Sequence, residues 1–175
     1  MMHSTAARRV ALMGILAALA LTLSALEGWL PPLPFLPPGA KAGFSNIIVM
    51  FAAQTLGGPY ALVLAVIKAL FALLTRGGVA GAMSLFGGLG ATLVMWLCVR
   101  RHASLILTGM LGAIAHNSLQ LVVAMVLTET PLLVGYLPAL LLFALCAGTV
   151  TGVLLKLLYP ALDNLVRLEF LKKRG

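Results

Sequence analysis

The chain has 175 residues, of which 62% are hydrophobic and 9% are charged, and its formal net charge is +8. This low charge and a mean hydropathy of +1.10 exclude an ordinary soluble domain, because soluble proteins carry roughly 25% charged residues. Since a transmembrane helix takes about 20 apolar residues, the length allows five or six spans with short loops. We therefore predict a single polytopic domain over residues 1–175, in the cytoplasmic membrane.

The apolar runs predict an all-α membrane protein with six helices. Helices fit the pattern because the strands of a membrane barrel would alternate apolar and polar residues. Glycine, proline and basic residues mark the helix ends. The predicted helices lie at about 8–30, 43–56, 59–75, 79–99, 103–128 and 132–159, followed by a basic amphipathic tail at 160–175. The second helix is short for a full span, so we expect it to be tilted, re-entrant or buried among its neighbours.

Two features surround the first predicted helix. A stripe of small residues would let another helix dock closely on it, and consists of Ala7, Ala11, Gly14 and Ala18. The segment 26–46 that follows holds five of the nine prolines. Proline fixes φ and removes an N–H donor, so this segment is predicted to be a stiff, extended connector. With Glu27 near one end and Lys41 and Asn46 near the other, it resembles a lid.

The basic residues predict the orientation. Nine would lie on the cytoplasmic side if the N-terminus is inside: Arg8, Arg9, Arg100, Arg101, Lys156, Arg167, Lys172, Lys173 and Arg174. The outside would hold Lys41 and Arg76. This positive-inside bias predicts that both termini are cytoplasmic and that the basic side contacts anionic lipid headgroups. Nucleic-acid binding is not expected, because the sequence has no basic, aromatic-interleaved face outside the membrane.

Helix 5 has the densest set of polar residues inside a predicted span. Residues Gly109, Ala113, His116 and Gln120 share one helical face, and Asn117 lies beside it. Polar side chains in a span usually face the bundle interior or a cavity. Two interpretations are open, namely a hydrogen-bond clamp between helices and a contact with a ligand.

Lys68, near the middle of helix 3, is the other residue that is energetically unfavourable inside a membrane span. Either it extends to an interface, or it needs an anion such as Glu27 or a bound substrate. The predicted topology places one set of polar residues in the outer half of the bilayer, with His116 near the midplane: Glu27, Lys41, Asn46, Lys68 and Gln120. A binding site at this depth is therefore predicted.

An enzymatic function is not expected. The sequence has no phosphate-binding Gly-x-x-x-x-Gly-Lys-Ser/Thr loop, so this chain is not expected to hydrolyse ATP. Its four acids, Glu27, Glu129, Asp163 and Glu169, do not pair at a spacing that holds Mg²⁺ and a diphosphate. We predict no catalytic residues, no metal site and no intrinsic cofactor.

Several motifs in combination resemble one family. They are Leu-Glu-x-x-Leu-Pro-x-Leu-Pro from Leu26, Pro-Gly-x-Lys-x-Gly-x-x-Asn-Ile from Pro38, Ser-Leu-x-Gly-Gly from Ser84, His-Asn-x-x-Gln-Leu from His116 and Tyr-Leu-Pro from Tyr136. Over about residues 8–168 the chain resembles the Gx transporter family, also catalogued as heptaprenyl diphosphate synthase component I and related to the S components of energy-coupling-factor (ECF) transporters. It departs from the family at Lys68, where an arginine is usual, and at Leu119, where a glycine is expected.

The resemblance implies a six-helix S-component-like bundle that binds its substrate near the outer face, under the helix 1–2 loop. It also implies that the small-residue stripe docks an energy-coupling T subunit, which works with ATPases. Relatives accompany flavin-dependent electron-transfer proteins, so the expected ligand is a flavin, namely riboflavin, FMN or FAD. Lys41 and Lys68 would meet phosphate or ring carbonyls, Asn117 and Gln120 a ring edge, and Trp29, Phe35, Phe44 or Tyr136 would stack on the ring. The alternatives are another vitamin or a quinone-like substrate, an accessory membrane subunit of heptaprenyl diphosphate synthesis, and an assembly protein.

Overall fold

The computed structural model describes residues 3–29 and 43–171, and these ranges form a helical bundle. Its elements are α1 (His3–Trp29), α2 (Asn46–Thr55), α3 (Gly58–Arg76), α4 (Gly78–Arg100), α5 (Leu105–Leu127), a 3₁₀ helix (Pro131–Tyr136) and α6 (Leu137–Leu171). Five of the α-helices, all except α2, are long and apolar enough to cross a membrane. The prediction of an all-α membrane protein with six helices is confirmed.

Glycine and serine residues explain where three of the helices begin. Gly57 and Gly77 precede α3 and α4 with φ of 94° and 89°, a left-handed region that glycine enters without a steric penalty. At the start of α5, the hydroxyl of Ser104 accepts a hydrogen bond from the Leu107 N–H, which satisfies one of the free donors of the first turn. These breaks let the long helices follow one another with very short connections.

The short helix α2 lies at the centre of the bundle. All residues from Ile47 to Ala53 are buried, and α2 contacts each of the other five α-helices. Its ten residues rise about 15 Å, half of the ~30 Å hydrocarbon thickness. A helix that is apolar on all sides is stable only when it is enclosed. Of the three arrangements predicted for this helix, the structure therefore has the buried one.

Contacts at the two ends of the bundle relate α1 to α3. Near the start of α1, Arg9 donates a 3.4 Å hydrogen bond to the hydroxyl of Tyr60, which lies near the start of α3. At the other end, Glu27 of α1 interacts electrostatically with Arg76, the last residue of α3, so the two helices run in the same direction. The predicted topology, in which both begin on the cytoplasmic side, requires this direction.

Two predicted boundaries of the last helix are wrong. Residues 131–136 form a 3₁₀ helix, and α6 begins at Leu137, where Pro138 is tolerated because the first-turn N–H groups have no intrahelical acceptor. At the other end, α6 continues through Pro160 to Leu171, so the tail predicted from residue 160 is a continuation of α6 as far as the described residues reach. Residues 172–175 lie outside the described ranges. The first helix also begins earlier than predicted, at His3.

Glycines bring α5 and α6 into close contact. A Cβ atom at Gly148 would lie 2.6 Å from the Gly109 carbonyl oxygen, and one at Gly152 would lie 2.6 Å from the Cα of Ile106. The two backbones approach as small-residue membrane interfaces allow. This packing fixes the position of α5, which has the polar residues predicted for the site.

Candidate ligand-binding site

Glu27, near the end of α1, forms hydrogen bonds with the two residues that precede α2. Its side chain is only 7% exposed, and its carboxylate accepts hydrogen bonds from the Phe44 N–H and from the Ser45 hydroxyl, the latter at 3.2 Å. A negative charge at this point also interacts favourably with the positive end of the α2 dipole. Glu27 therefore connects the two described ends of the proline-rich segment.

Lys68 lies inside the bundle. Its side chain is 6% exposed, and its Nζ donates a 2.6 Å hydrogen bond to Asn46 Oδ1. The side chain therefore does not extend to a membrane interface, which was the first of the two interpretations for Lys68. Its charge attracts that of Glu27, which also interacts electrostatically with Arg76 at the end of α3. The structure thus gathers Glu27, Asn46 and Lys68 at one end of α2.

On α5, the three polar residues that were predicted for the site are buried: His116, Asn117 and Gln120. One atom of each has no hydrogen-bond partner among the described residues, namely His116 Nδ1, Asn117 Oδ1 and Gln120 Oε1. Leaving a buried polar atom unpaired costs about 1–3 kcal/mol. A clamp between helices would pair these atoms, so their unpaired state favours a ligand contact instead. Lys68 also acts electrostatically on His116, which places the α5 residues near the α2–α3 group.

A glycine of α4 makes room for these side chains. A Cβ atom at Gly87 would lie 2.8 Å from Gln120 Cγ, closer than packed atoms come, and 3.2 Å from His116 Nδ1, which is tighter than most packed contacts. The His116 and Gln120 side chains therefore lie directly against the α4 backbone. The sequence shows the Gly87-Gly88 pair but does not show which helix packs against it.

A small cavity is lined by polar residues of both α2 and α5. It is lined by Gly43, Asn46, Met50, Met95, Gly109, Gly112, Ala113, His116, Asn117 and Thr151. Its volume is about 10 Å³, which is room for about one water molecule. Because a vitamin-sized ligand needs several hundred Å³, the described residues must separate before such a molecule can enter. Met50, Met95 and Thr151 were not predicted as lining residues, since apolar and threonine side chains in a span have no distinctive sequence signal.

Two predicted site residues with described side chains are not part of this cluster. Trp29 is 84% exposed and Tyr136 is 39% exposed, so neither side chain belongs to the buried polar group. Lys41 lies outside the described residues, as does Phe35, with the rest of the segment 30–42. Ser45 is a site residue that the prediction missed, although it precedes Asn46 directly.

The predicted docking stripe on α1 is not covered by the described residues of this chain. Ala7, Ala11, Gly14 and Ala18 are all exposed, and a Cβ atom at Gly14 would have no neighbour within 4 Å. A flat, uncovered surface of small residues allows another helix to approach closely.

The fold is a membrane helical bundle of the S-component type. It is similar to a solved structure described as "Structure and mechanism of the S component of a bacterial ECF transporter", with a TM-score of 0.68 and 24% sequence identity. The similarity covers 91% of this chain and 97% of that chain. The chain belongs to the heptaprenyl diphosphate synthase component I family, whose sequence profile matches residues 16–158. No match was found among curated protein sequences.

Proposed function

We propose that this protein is the substrate-binding membrane subunit of a small-molecule transporter and that its substrate is a flavin, namely riboflavin, FMN or FAD. The observation that carries the proposal is the set of three unpartnered polar atoms on α5, buried beside Lys68. Membrane proteins tolerate such atoms where a substrate completes their hydrogen bonds. The ligand would lie in the outer half of the membrane, under the segment 30–42.

The side chains suit the edge of a flavin ring. A carboxamide offers both an N–H donor and a carbonyl acceptor, so Asn117 and Gln120 match a ring edge that alternates carbonyl and N–H groups. The half-buried Phe44, adjacent to the Glu27 contact, is the described aromatic residue best placed to stack on the ring. Trp29 and Tyr136 would have to turn inward to contribute. Another vitamin or a quinone headgroup would use the same donors and acceptors.

The exposed stripe on α1 supports a partner for this function. A protein without a phosphate-binding loop needs another source of energy for uphill transport. We expect the stripe of Ala7, Ala11, Gly14 and Ala18 to dock an energy-coupling T subunit that works with ATPases. On the outer side, flavin-dependent electron-transfer proteins would use the transported flavin. No catalytic residue is proposed in this chain.

Flavin binding is tested on the protein purified in detergent. Absorption in the blue and near-ultraviolet reports a co-purified flavin, and the melting temperature reports binding of added riboflavin, FMN or FAD. We expect binding by the wild type, and about 5- to 30-fold weaker binding by His116→Ala, because a hydrogen bond in a dry site contributes about 1–2 kcal/mol. The matched control is Ser118→Ala, on the same helix but outside the cavity lining. No co-purified flavin together with no thermal shift from any of the three flavins would exclude this substrate.

A second candidate is supported by the family description. An accessory membrane subunit of heptaprenyl diphosphate synthesis would require a soluble partner for catalysis, since no three His, Cys, Asp or Glu side chains in the described ranges could hold a metal ion. The same purified protein distinguishes the candidates. Heptaprenyl diphosphate, but no flavin, would then raise the melting temperature, and the protein would be colourless.

A further inference from the structure

Lys68 is a buried cation for which the described residues offer little hydrogen bonding. An ammonium has three donors, and within residues 3–29 and 43–171 Lys68 donates to one acceptor, the neutral oxygen of Asn46. No carboxylate in the described part of the chain lies within 4 Å of the Lys68 ammonium. A buried charge in a membrane helix is costly unless it is paired, and such residues mark substrate sites.

Glu27, the nearest acid, does not pair with the Lys68 ammonium. Both carboxylate oxygens of Glu27 accept hydrogen bonds from the start of α2, one from the Phe44 N–H and one from the Ser45 hydroxyl. Glu27 also interacts with a second cation, Arg76. Two basic groups therefore share one carboxylate in this part of the bundle, and the local charge is positive.

The neutral hydrogen-bond acceptors of the site do not bond the Lys68 ammonium either. The free oxygens of Asn117 and Gln120 and the free nitrogen of His116 have no partner, although Lys68 is near enough to act electrostatically on His116. The site thus has two separate parts, a neutral polar surface on α5 and a cation on α3. A ligand that fits both has a polar, uncharged body and an anionic group.

We propose that Lys68 binds a phosphate group of the ligand, so that the site prefers a phosphorylated molecule to its neutral parent. This inference rests on the proposed function of the site and identifies FMN, rather than riboflavin, as the flavin it favours. A phosphate has several strong acceptor oxygens for the two donors of Lys68 that the described residues leave without an acceptor, and a charge-assisted hydrogen bond is about twice as strong as a neutral one.

Riboflavin and FMN test the inference directly, because they differ only in the phosphate. We expect the wild-type protein to bind FMN about tenfold or more tightly than riboflavin, by fluorescence quenching in detergent. Lys68→Met, which keeps an unbranched side chain of similar length but removes its charge, should abolish this preference while riboflavin binding persists. Lys68→Arg should retain the preference, as should the control Lys156→Met, which changes an exposed lysine.

Three outcomes would overturn the inference: equal affinities of the wild type for both flavins, tighter binding of riboflavin, or a preference for FMN that survives in Lys68→Met. The wild-type comparison needs no variant, so a poorly folded variant leaves the test intact. If no flavin binds, the proposed function fails, and pyrophosphate then decides the inference. Pyrophosphate should raise the melting temperature of the wild type, and the absence of any such shift would overturn it.

Discussion

Lys68 Nζ donates a 2.6 Å hydrogen bond to Asn46 Oδ1, and this bond joins the middle of α3 to the first residue of α2. The two residues are 22 positions apart in the chain. Because α2 is the helix on which the rest of the bundle packs, the contact connects the polar site to the hydrophobic core. A ligand that takes over either partner would therefore act on the position of α2.

Asn46→Ala removes the acceptor of this bond and leaves the buried ammonium without it. We expect a loss of about 1.5–3 kcal/mol in stability, the usual contribution of a hydrogen bond to a charged group. The measurement is thermal unfolding in detergent, with Asn164→Ala as a control at an exposed position of α6. Asn46→Asp places a carboxylate at the same position and should retain most of the stability. An unchanged melting temperature for Asn46→Ala would show that the bond does not stabilise the bundle.

Glu27→Ala should loosen the start of α2. The substitution leaves the half-buried Phe44 N–H and the buried Ser45 hydroxyl without their acceptor, at a cost of about 1–3 kcal/mol. We expect a lower melting temperature and faster proteolysis of the segment 30–42, whose two ends Glu27 connects. Glu129→Ala, at an exposed acid after α5, is the control. Equal proteolysis rates in the two variants would contradict this role of Glu27.

Gly87→Ala should disturb the α4–α5 contact. The new methyl group would lie 2.8 Å from Gln120 Cγ and 3.0 Å from the His116 carbonyl oxygen, and the latter is backbone that cannot move freely. Overpacking of this kind costs about 1–3 kcal/mol, and the displaced side chains should also weaken ligand binding. Gly78→Ala, on the same helix with no atom within 4 Å of the new methyl group, should leave both properties unchanged. If the two variants behave alike, the close approach at Gly87 is not structurally important.

The sequence predicted much of this fold because membrane helices have strong signals. Long apolar runs with glycine and proline breaks identify five of the helices, and clustered polar residues identify α5 as the site helix. The prediction was wrong at Pro160, where a proline lies within a helix instead of ending it. A proline restricts the preceding residue but does not forbid a helix whose neighbours supply the missing contacts.

Tertiary contacts explain what the sequence could not predict about the site. Glu27 and Lys68 were natural partners by charge, yet the carboxylate bonds the start of α2 and the ammonium bonds Asn46. Trp29 was assigned to the site by its type and position, but a residue at a helix end faces inward or outward depending on helix rotation. Helix rotation follows from packing against several other helices, which no local pattern encodes.

The uncovered face of α1 predicts a variant that separates docking from folding. Gly14→Leu adds a large side chain where no described atom lies within 4 Å, so we expect an unchanged melting temperature and unchanged flavin binding. Co-purification with a co-expressed T subunit should be lost, because the added bulk prevents close approach of the partner helix. Val150→Leu, on an exposed position of α6, is the control for added bulk on the bundle surface. Normal co-purification of Gly14→Leu would place the docking surface elsewhere.

Asn117→Leu should stabilise the ligand-free protein while abolishing its binding. The Asn117 Oδ1 atom is buried without a partner, so an apolar side chain of similar size removes a penalty of about 1–3 kcal/mol and breaks no bond to that oxygen. The matched comparison is Asn46→Leu, where the same chemical change removes the acceptor of Lys68 and should lower the melting temperature. Opposite shifts of the two variants in thermal unfolding would show that Asn117 is kept for a ligand, since sites built for binding sacrifice stability. A decrease in both would mean that Asn117 is paired in solution, and the ligand interpretation of the α5 residues would then lose its main support.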